Sequence, residues 1–240
     1  MIDPYVYPGT EILVNKFNIQ NKADIEAREA DYVSARMRAI TITPVDGCFD
    51  FEHLCAIHGY IFQDIYDWAG QIRTVPMEKY EPVLGGLSIE YSEPERIAHI
   101  ATTVLDKMKS VQWDTLDTDK KAEYFTPLMA NLWKVHPFRE GNTRTVVTFC
   151  CQFADSQGFR LDTDLFKDNS MYVRTALVAA TAQFKDLGDR SQPQHLIRIV
   201  KDAMVRGQSK KPSILNKLDQ SHNLNSSAKP YIRKTTEFER

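Results

Sequence analysis

Between about residue 50 and residue 206, large apolar side chains recur three or four positions apart, and polar residues fill the gaps. That spacing predicts amphipathic helices. Phe51, Leu54, Ile57, His58, Ile61, Phe62, Ile65 and Trp68 form one stripe, with Asp50 as the helix cap and Gly70 as the stop. A second stripe (Ile97, Ile100, Ala101, Val104, Leu105, Met108) follows Ser92, and Glu95 three positions on completes a capping-box pattern. Further helical runs cover about 118–135, 143–157, 168–185 and 193–205. The stretch 71–89 (QIRTVPMEKYEPVLGGLSI) breaks this rhythm: alternation around Ile72 and Thr74, two prolines and the Gly85-Gly86 pair predict a short, mostly exposed β-hairpin or a surface loop.

The ends have a different character. Residues 23–40 are rich in Ala, Glu and Arg and predict a further helix, joined to the core by the turn-like TITPVDG. From Arg206 onward eight Lys or Arg outnumber three Asp or Glu, and large apolar residues are few, so a basic, partly ordered tail is expected. The pattern divides the chain into an arm and helix over 1–45, a helical core over 46–206 and a tail over 207–240.

Composition limits the classes of function. The 240 residues are 42% hydrophobic, enough for a core, and 30 basic against 32 acidic residues give a formal charge of −2. No whole-chain field would draw nucleic acid or anionic lipid, so direct nucleic-acid binding is not expected. No run approaches the roughly 18 apolar residues of a membrane span, and MIDPYVYPGTEILVNK has neither a basic nor an apolar leader segment, so a cytoplasmic protein is expected, or one exported by a route that leaves no N-terminal mark. Cys48, Cys55, Cys150 and Cys151 show no CxxC spacing. They read as small apolar residues in a reducing compartment, with a reactive thiol at Cys150 as the second reading.

Chemistry concentrates in residues 136–145, HPFREGNTRT, between two predicted helices. A helix starting near Asn142 would aim its unpaired first-turn N–H groups at one point, an arrangement that cradles phosphate. Gly141 permits close backbone approach, and Arg144 adds a forked cation. Glu140 would repel phosphate unless a cation lay between them, which points to Mg2+. His136, with an ordinary pKa near neutrality, is the natural acceptor of a hydroxyl proton. These residues predict metal-assisted transfer of a phosphate-containing group to a hydroxyl.

This loop resembles the signature of the Fic family, His-x-Phe-x-Asp/Glu-Gly-Asn-Gly-Arg-x-x-Arg, at His136, Phe138, Glu140, Gly141, Asn142 and Arg144. YPGTEILVNK at 7–16, FQDIYDWAGQIRTV at 62–75 and Lys79 are also similar to that family, over about 5–200. The resemblance implies an all-α Fic fold, a helical bundle with a small β-hairpin flap over the loop. It implies transfer of AMP from ATP to a Ser, Thr or Tyr hydroxyl of a target protein, with His136 as general base and Glu140 holding Mg2+. Gly141 and Asn142 would line the phosphate nest, Asn142, Thr143 and Arg144 would face the nucleotide, and Phe138 would anchor the loop. Flap residues Ile72, Arg73, Thr74, Val75 and Lys79 would align the target backbone by strand-like pairing. Two other readings stay open: a Fic-fold transferase moving phosphate, UMP or phosphocholine, and a nucleotide-binding interaction module without catalysis.

Two positions depart from the family pattern. Thr143 stands in place of a glycine, adding a hydroxyl that either points away from phosphate or donates to it. Val147 stands in place of the second arginine, which the family uses on the outer phosphate. Many members carry a restraining helix with Ser/Thr-x-x-x-Glu; the matching segment here runs from Ser34 to Arg38 and lacks the glutamate. Arg38 or Arg36 either replaces the missing phosphate contact or is an ordinary surface arginine of this helix, and a small antitoxin-like inhibitor is a candidate partner.

Overall fold

A computed structural model describes residues 3–209; the tail beyond them, expected to be basic and partly ordered, lies outside the described residues. Among the described residues the chain is mostly helical, with one small two-stranded antiparallel sheet. The helices are α1 (Lys22–Ile42), α2 (Phe51–Phe62), α3 (Ile97–Ser110), α4 (Thr118–Val135), α5 (Asn142–Ser156), α6 (Thr163–Asp168), α7 (Ser170–Ala180) and α8 (Gln194–Ser209). Side-chain caps explain several of the starts. Asn21, Asp50, Asp117 and Asp162 each accept a hydrogen bond from a first-turn N–H, as the sequence predicts for Asp50.

Helix α5 is the centre of the bundle. It packs against α2 and α4, while α1 covers α2 and α3 lies along α4. The stripes predicted from spacing are the buried faces: Leu54, Ile57 and Ile61 of α2, Ala101, Leu105 and Met108 of α3, and Val146, Cys150, Phe153 and Ala154 of α5 are all buried. Phe125, Phe153, Phe159 and Trp113 meet in a cluster of mostly edge-on rings that fixes α4 against α5. Cys150 is fully buried, and burial pushes its thiol well above the ordinary range, so the reactive-thiol reading is wrong.

Three boundaries differ from the sequence prediction, each for a local reason. Helix α2 stops at Phe62, eight positions before Gly70, and residues 63–70 turn back so that Gly70 can meet the α2 backbone. The expected capping box at Ser92 does not form, because Pro94 opens a 3-10 turn over Pro94–Arg96 and α3 begins at Ile97 without a side-chain cap. The run predicted over 168–185 is divided: α7 ends at Ala180, and β1 (Gln183–Phe184) pairs antiparallel with β2 (Gly188–Asp189).

That two-stranded sheet lies outside 71–89. In 71–89 strand pairing is reduced to one antiparallel bridge, Tyr80 with Ser88, around a 3-10 turn at Pro82–Leu84 and the positive-φ pair Gly85-Gly86. The segment is also less exposed than expected: Arg73, Val75, Glu81 and Ile89 are buried. Arg73 is the reason. Its guanidinium donates to the carbonyls of His136 (2.8 Å), Val75 (2.5 Å) and Ser92, and its own N–H donates to Pro137 O (2.9 Å). One forked cation thus satisfies carbonyls from three chain segments that no helix or ladder serves.

Candidate active site

The loop 136–141 is a tight connection between two buried helices, and its sequence fixes its path. Helix α4 ends at His136, which adopts a left-handed conformation (φ 51°) and donates its N–H to Trp133 O (3.1 Å). Phe138 is fully buried and stacks on His58 of α2, with ring centres 3.8 Å apart. Asn142 closes the loop: its Oδ1 accepts from Phe138 N (2.9 Å) and its Nδ2 donates to Phe138 O (2.7 Å). The Asn142 side chain is therefore spent on the loop, which leaves its main-chain N–H at the start of α5, a narrower role than the sequence suggested.

Gly141 carries the turn into α5. Its φ is 81°, and a Cβ there would lie 2.2 Å from the Phe62 ring, so the position excludes any side chain twice over. Its N–H donates to the Glu140 carboxylate (3.0 Å), and no side chain caps α5. The N–H groups of Asn142, Thr143 and Arg144 are left without protein acceptors at a cleft of about 310 Å³, lined by Lys79, His136, Glu140, Gly141, Asn142, Thr143, Arg144 and three residues of α7: Ser170, Met171 and Arg174.

His58 is a site residue that spacing assigned only to a buried helix face. Its Nδ1 accepts from Gly70 N (2.8 Å) and its Nε2 donates to Glu140 O (3.0 Å), which fixes the neutral ring with its proton on Nε2. Burial lowers its pKa to about 3. The helical stripe hid this role because its partners, twelve and 82 positions away, converge only in the fold.

His136 is 3% exposed, and both ring nitrogens lack a hydrogen-bond partner. Its ring packs on Tyr91 (4.1 Å between centres) and edge-on to Trp133. Burial, aided by the nearby Lys79 charge, holds its pKa well below the ordinary value, so the ring is neutral and able to accept a proton at neutral pH. Glu140 lies beside it in charge rather than in hydrogen bonding. Burial would raise the Glu140 carboxyl, but Lys79 (3.1 Å), the Gly141 N–H and Arg144 (3.7 Å) together bring it down to about 2. As an ionised hard oxygen donor at the cleft, Glu140 suits a divalent cation. Among the described residues no three His, Cys, Asp or Glu side chains converge on a metal position, so such an ion would take its other ligands from phosphate and water.

The other expected residues divide clearly. Arg144 reaches the cleft and is held by Glu29 of α1 (2.7 Å), whose second oxygen accepts from Tyr66 (2.5 Å). Lys79 is the one flap residue among those predicted that lines the cleft; Ile72, Arg73, Thr74 and Val75 do not. Ser34 and Arg38 are exposed and do not line the cleft, and Arg36 is paired with Asp64 at 2.6 Å. Helix α1 reaches the loop through Glu29 instead. Val147 packs against the core, while Arg174, held by the buried Glu81 through two hydrogen bonds (2.6 and 2.9 Å), supplies a cleft cation that the loop sequence does not reveal.

Comparison with known proteins agrees with this geometry. The family model described as the Fic/DOC family matches residues 48–154, which span α2 to α5 and the loop. The chain is 31% identical over 170 residues to the protein adenylyltransferase VbhT of Bartonella schoenbuchensis, covering 70% of this chain but 34% of that protein, about a third of its length. It is 32% identical to the probable protein adenylyltransferase y4lH of Sinorhizobium fredii, covering 67% of this chain and 79% of that one. The crystal structure of BepC, a VirB-translocated effector of Bartonella tribocorum with bound AMPPNP, superimposes with a TM-score of 0.65 at 20% identity, covering 83% of this chain and 95% of that chain. With the bundle, the loop and a relative 32% identical along 79% of its length, the chain belongs to the Fic/DOC family.

Proposed function

We propose that this chain is a protein adenylyltransferase, moving AMP from ATP to a Ser, Thr or Tyr hydroxyl of a target protein. The observation that carries the reading is a neutral, buried His136 whose two ring nitrogens are unpartnered, set in a cleft with the uncapped first turn of α5 and the cations Lys79, Arg144 and Arg174. In this reading the target oxygen attacks the α-phosphorus, its proton passes to His136, and the bond to the β-phosphate oxygen breaks to release pyrophosphate. The N–H groups of Asn142, Thr143 and Arg144, with the Arg144 guanidinium, hold the phosphates in line. Glu140 would hold Mg2+, which supplies charge neutralisation at the phosphates. The relatives named as adenylyltransferases and the fold neighbour that carries AMPPNP support the choice of ATP.

Target alignment falls to the exposed positions of the flap. Thr74, Glu78 and Tyr80 are exposed, whereas Arg73 and Val75 are committed inward, so pairing with a target strand would use the outer edge near Tyr80.

A second reading, transfer of a different phosphate-containing group, draws on Val147, which leaves the loop one cation short of the family pattern. One experiment separates the two. The protein is incubated with ATP labelled on the α- or the γ-phosphate, using cell extract as acceptor, alongside His136→Ala. Protein labelling from the α-position alone, lost in His136→Ala, is the expected result; labelling from the γ-position would replace AMP transfer by phosphate transfer.

A further inference from the structure

Helical threonines usually turn their hydroxyl back onto the carbonyl four residues earlier, as Thr41, Thr103 and Thr145 do on Met37, His99 and Gly141. Thr143 does not. The residue four before it, Arg139, precedes the start of α5, and the carbonyl three before it, Glu140 O, is taken by His58. Its Oγ1 instead accepts a hydrogen bond from the Trp133 indole N–H at 2.9 Å. An indole nitrogen only donates, so the hydroxyl keeps its own proton, and no protein acceptor meets that proton.

Thr143 lines the cleft, and three cations (Lys79, Arg144, Arg174) outnumber the one carboxylate, Glu140, among its lining residues. The group that would meet the spare proton is therefore an anionic oxygen. Trp133 is fully buried, with its ring edge-on to His136 at 5.5 Å, so one rigid side chain braces both walls of the cleft. A hydroxyl that already accepts a hydrogen bond is also a stronger donor.

We infer that the Thr143 hydroxyl, held and polarised by the Trp133 indole, donates to a phosphate oxygen of the bound nucleotide. Side chain and main-chain N–H of one residue would then act on one phosphate group, adding a donor that glycine at this position could not supply. The inference rests on the nucleotide-transfer reading above and makes Thr143 a binding residue and Trp133 its positioning residue.

Isothermal titration with ATP plus magnesium, and separately with adenosine, tests it on the full chain and on Thr143→Val, Thr143→Ala, Thr143→Ser and Trp133→Phe. Thr143→Val keeps the shape and loses the donor, so ATP affinity should fall about 10- to 150-fold, the range for one hydrogen bond to a charged group, with adenosine affinity unchanged. Thr143→Ser should stay within about twofold of wild type, and Trp133→Phe should fall between. Thr143→Ala gives the same readout if the valine variant does not fold. Val or Ala variants that bind ATP like wild type, lose ATP and adenosine alike, or match a weakened serine variant overturn the inference while leaving the nucleotide reading in place. A wild-type chain that binds neither ligand overturns both.

Discussion

At the scale of single residues, the loop divides its labour between side chains that hold it and side chains left available for chemistry. Asn142, His58 and Phe138 are fully occupied with the backbone or with one another, whereas both ring nitrogens of the buried His136 lack a hydrogen-bond partner. Its depressed pKa gives a direct prediction: the acid limb of a kcat/KM profile should lie well below pH 6.5, with a plateau through neutrality. An acid limb at or above 6.5 in steady-state kinetics would remove His136 from the role of base. Gly141 gives a second. Gly141→Ala meets both the positive φ and the Phe62 ring, and should cost about 3 kcal/mol of stability in urea denaturation. Combining it with Phe62→Leu should recover part of that loss, because the clash and the ring are one interaction.

At the scale of elements, the segment 71–89 owes its position to two arginines more than to strand pairing. Arg73 binds its base to the 136–141 loop at the carbonyls of His136 and Pro137, and Arg174 of α7 holds its tip through Glu81. Local sequence favours a hairpin here, and the Gly85-Gly86 turn does form. The ladder does not, because the carbonyls of Val75 and Ser92 find a guanidinium in place of a partner strand. Arg73→Leu should therefore lower stability by about 3 kcal/mol or more, since it leaves several buried carbonyls unpaired. Arg73→Lys should recover little, because a point charge on a flexible stem cannot span three directions. Thermal unfolding of both variants checks this, and a stable Arg73→Leu protein would show that the flap is held elsewhere.

At the scale of the whole molecule, the buried histidines tie stability to pH. His58 is neutral in the folded chain down to about pH 3, while the unfolded chain takes up a proton below about 6.5. Its contribution is thus fully present above pH 6.5 and is lost as pH falls from there toward 3. Between pH 7 and pH 5 wild type should lose about 2 kcal/mol more than His58→Gln, which keeps a donor and an acceptor without titrating. His136 acts in the same direction and leaves a residual slope in the variant. Urea denaturation at the two pH values measures the difference, and parallel losses would mean that His58 is not buried as a neutral ring. The same bundle holds no helix, among the described residues, long and apolar enough to cross a membrane.

Periodicity placed most of the helices: an apolar residue every three or four positions has one way to leave water, and Leu54 and Leu105 both lie on the faces that it predicted. Adjacency in sequence likewise placed His136, Glu140 and Arg144 on one short loop before a helix start. What the chain could not express locally is every contact whose partners lie far apart. Glu29 on Arg144, Arg73 beneath the loop, His58 on the Glu140 carbonyl, Glu81 on Arg174 and the Trp133–Thr143 hydrogen bond join side chains that only helix packing brings together. Hydrogen-bonding groups carry no periodic signature of their partners, so the sequence announced the loop's chemistry, and the tertiary structure decided which of its groups stay free to perform it.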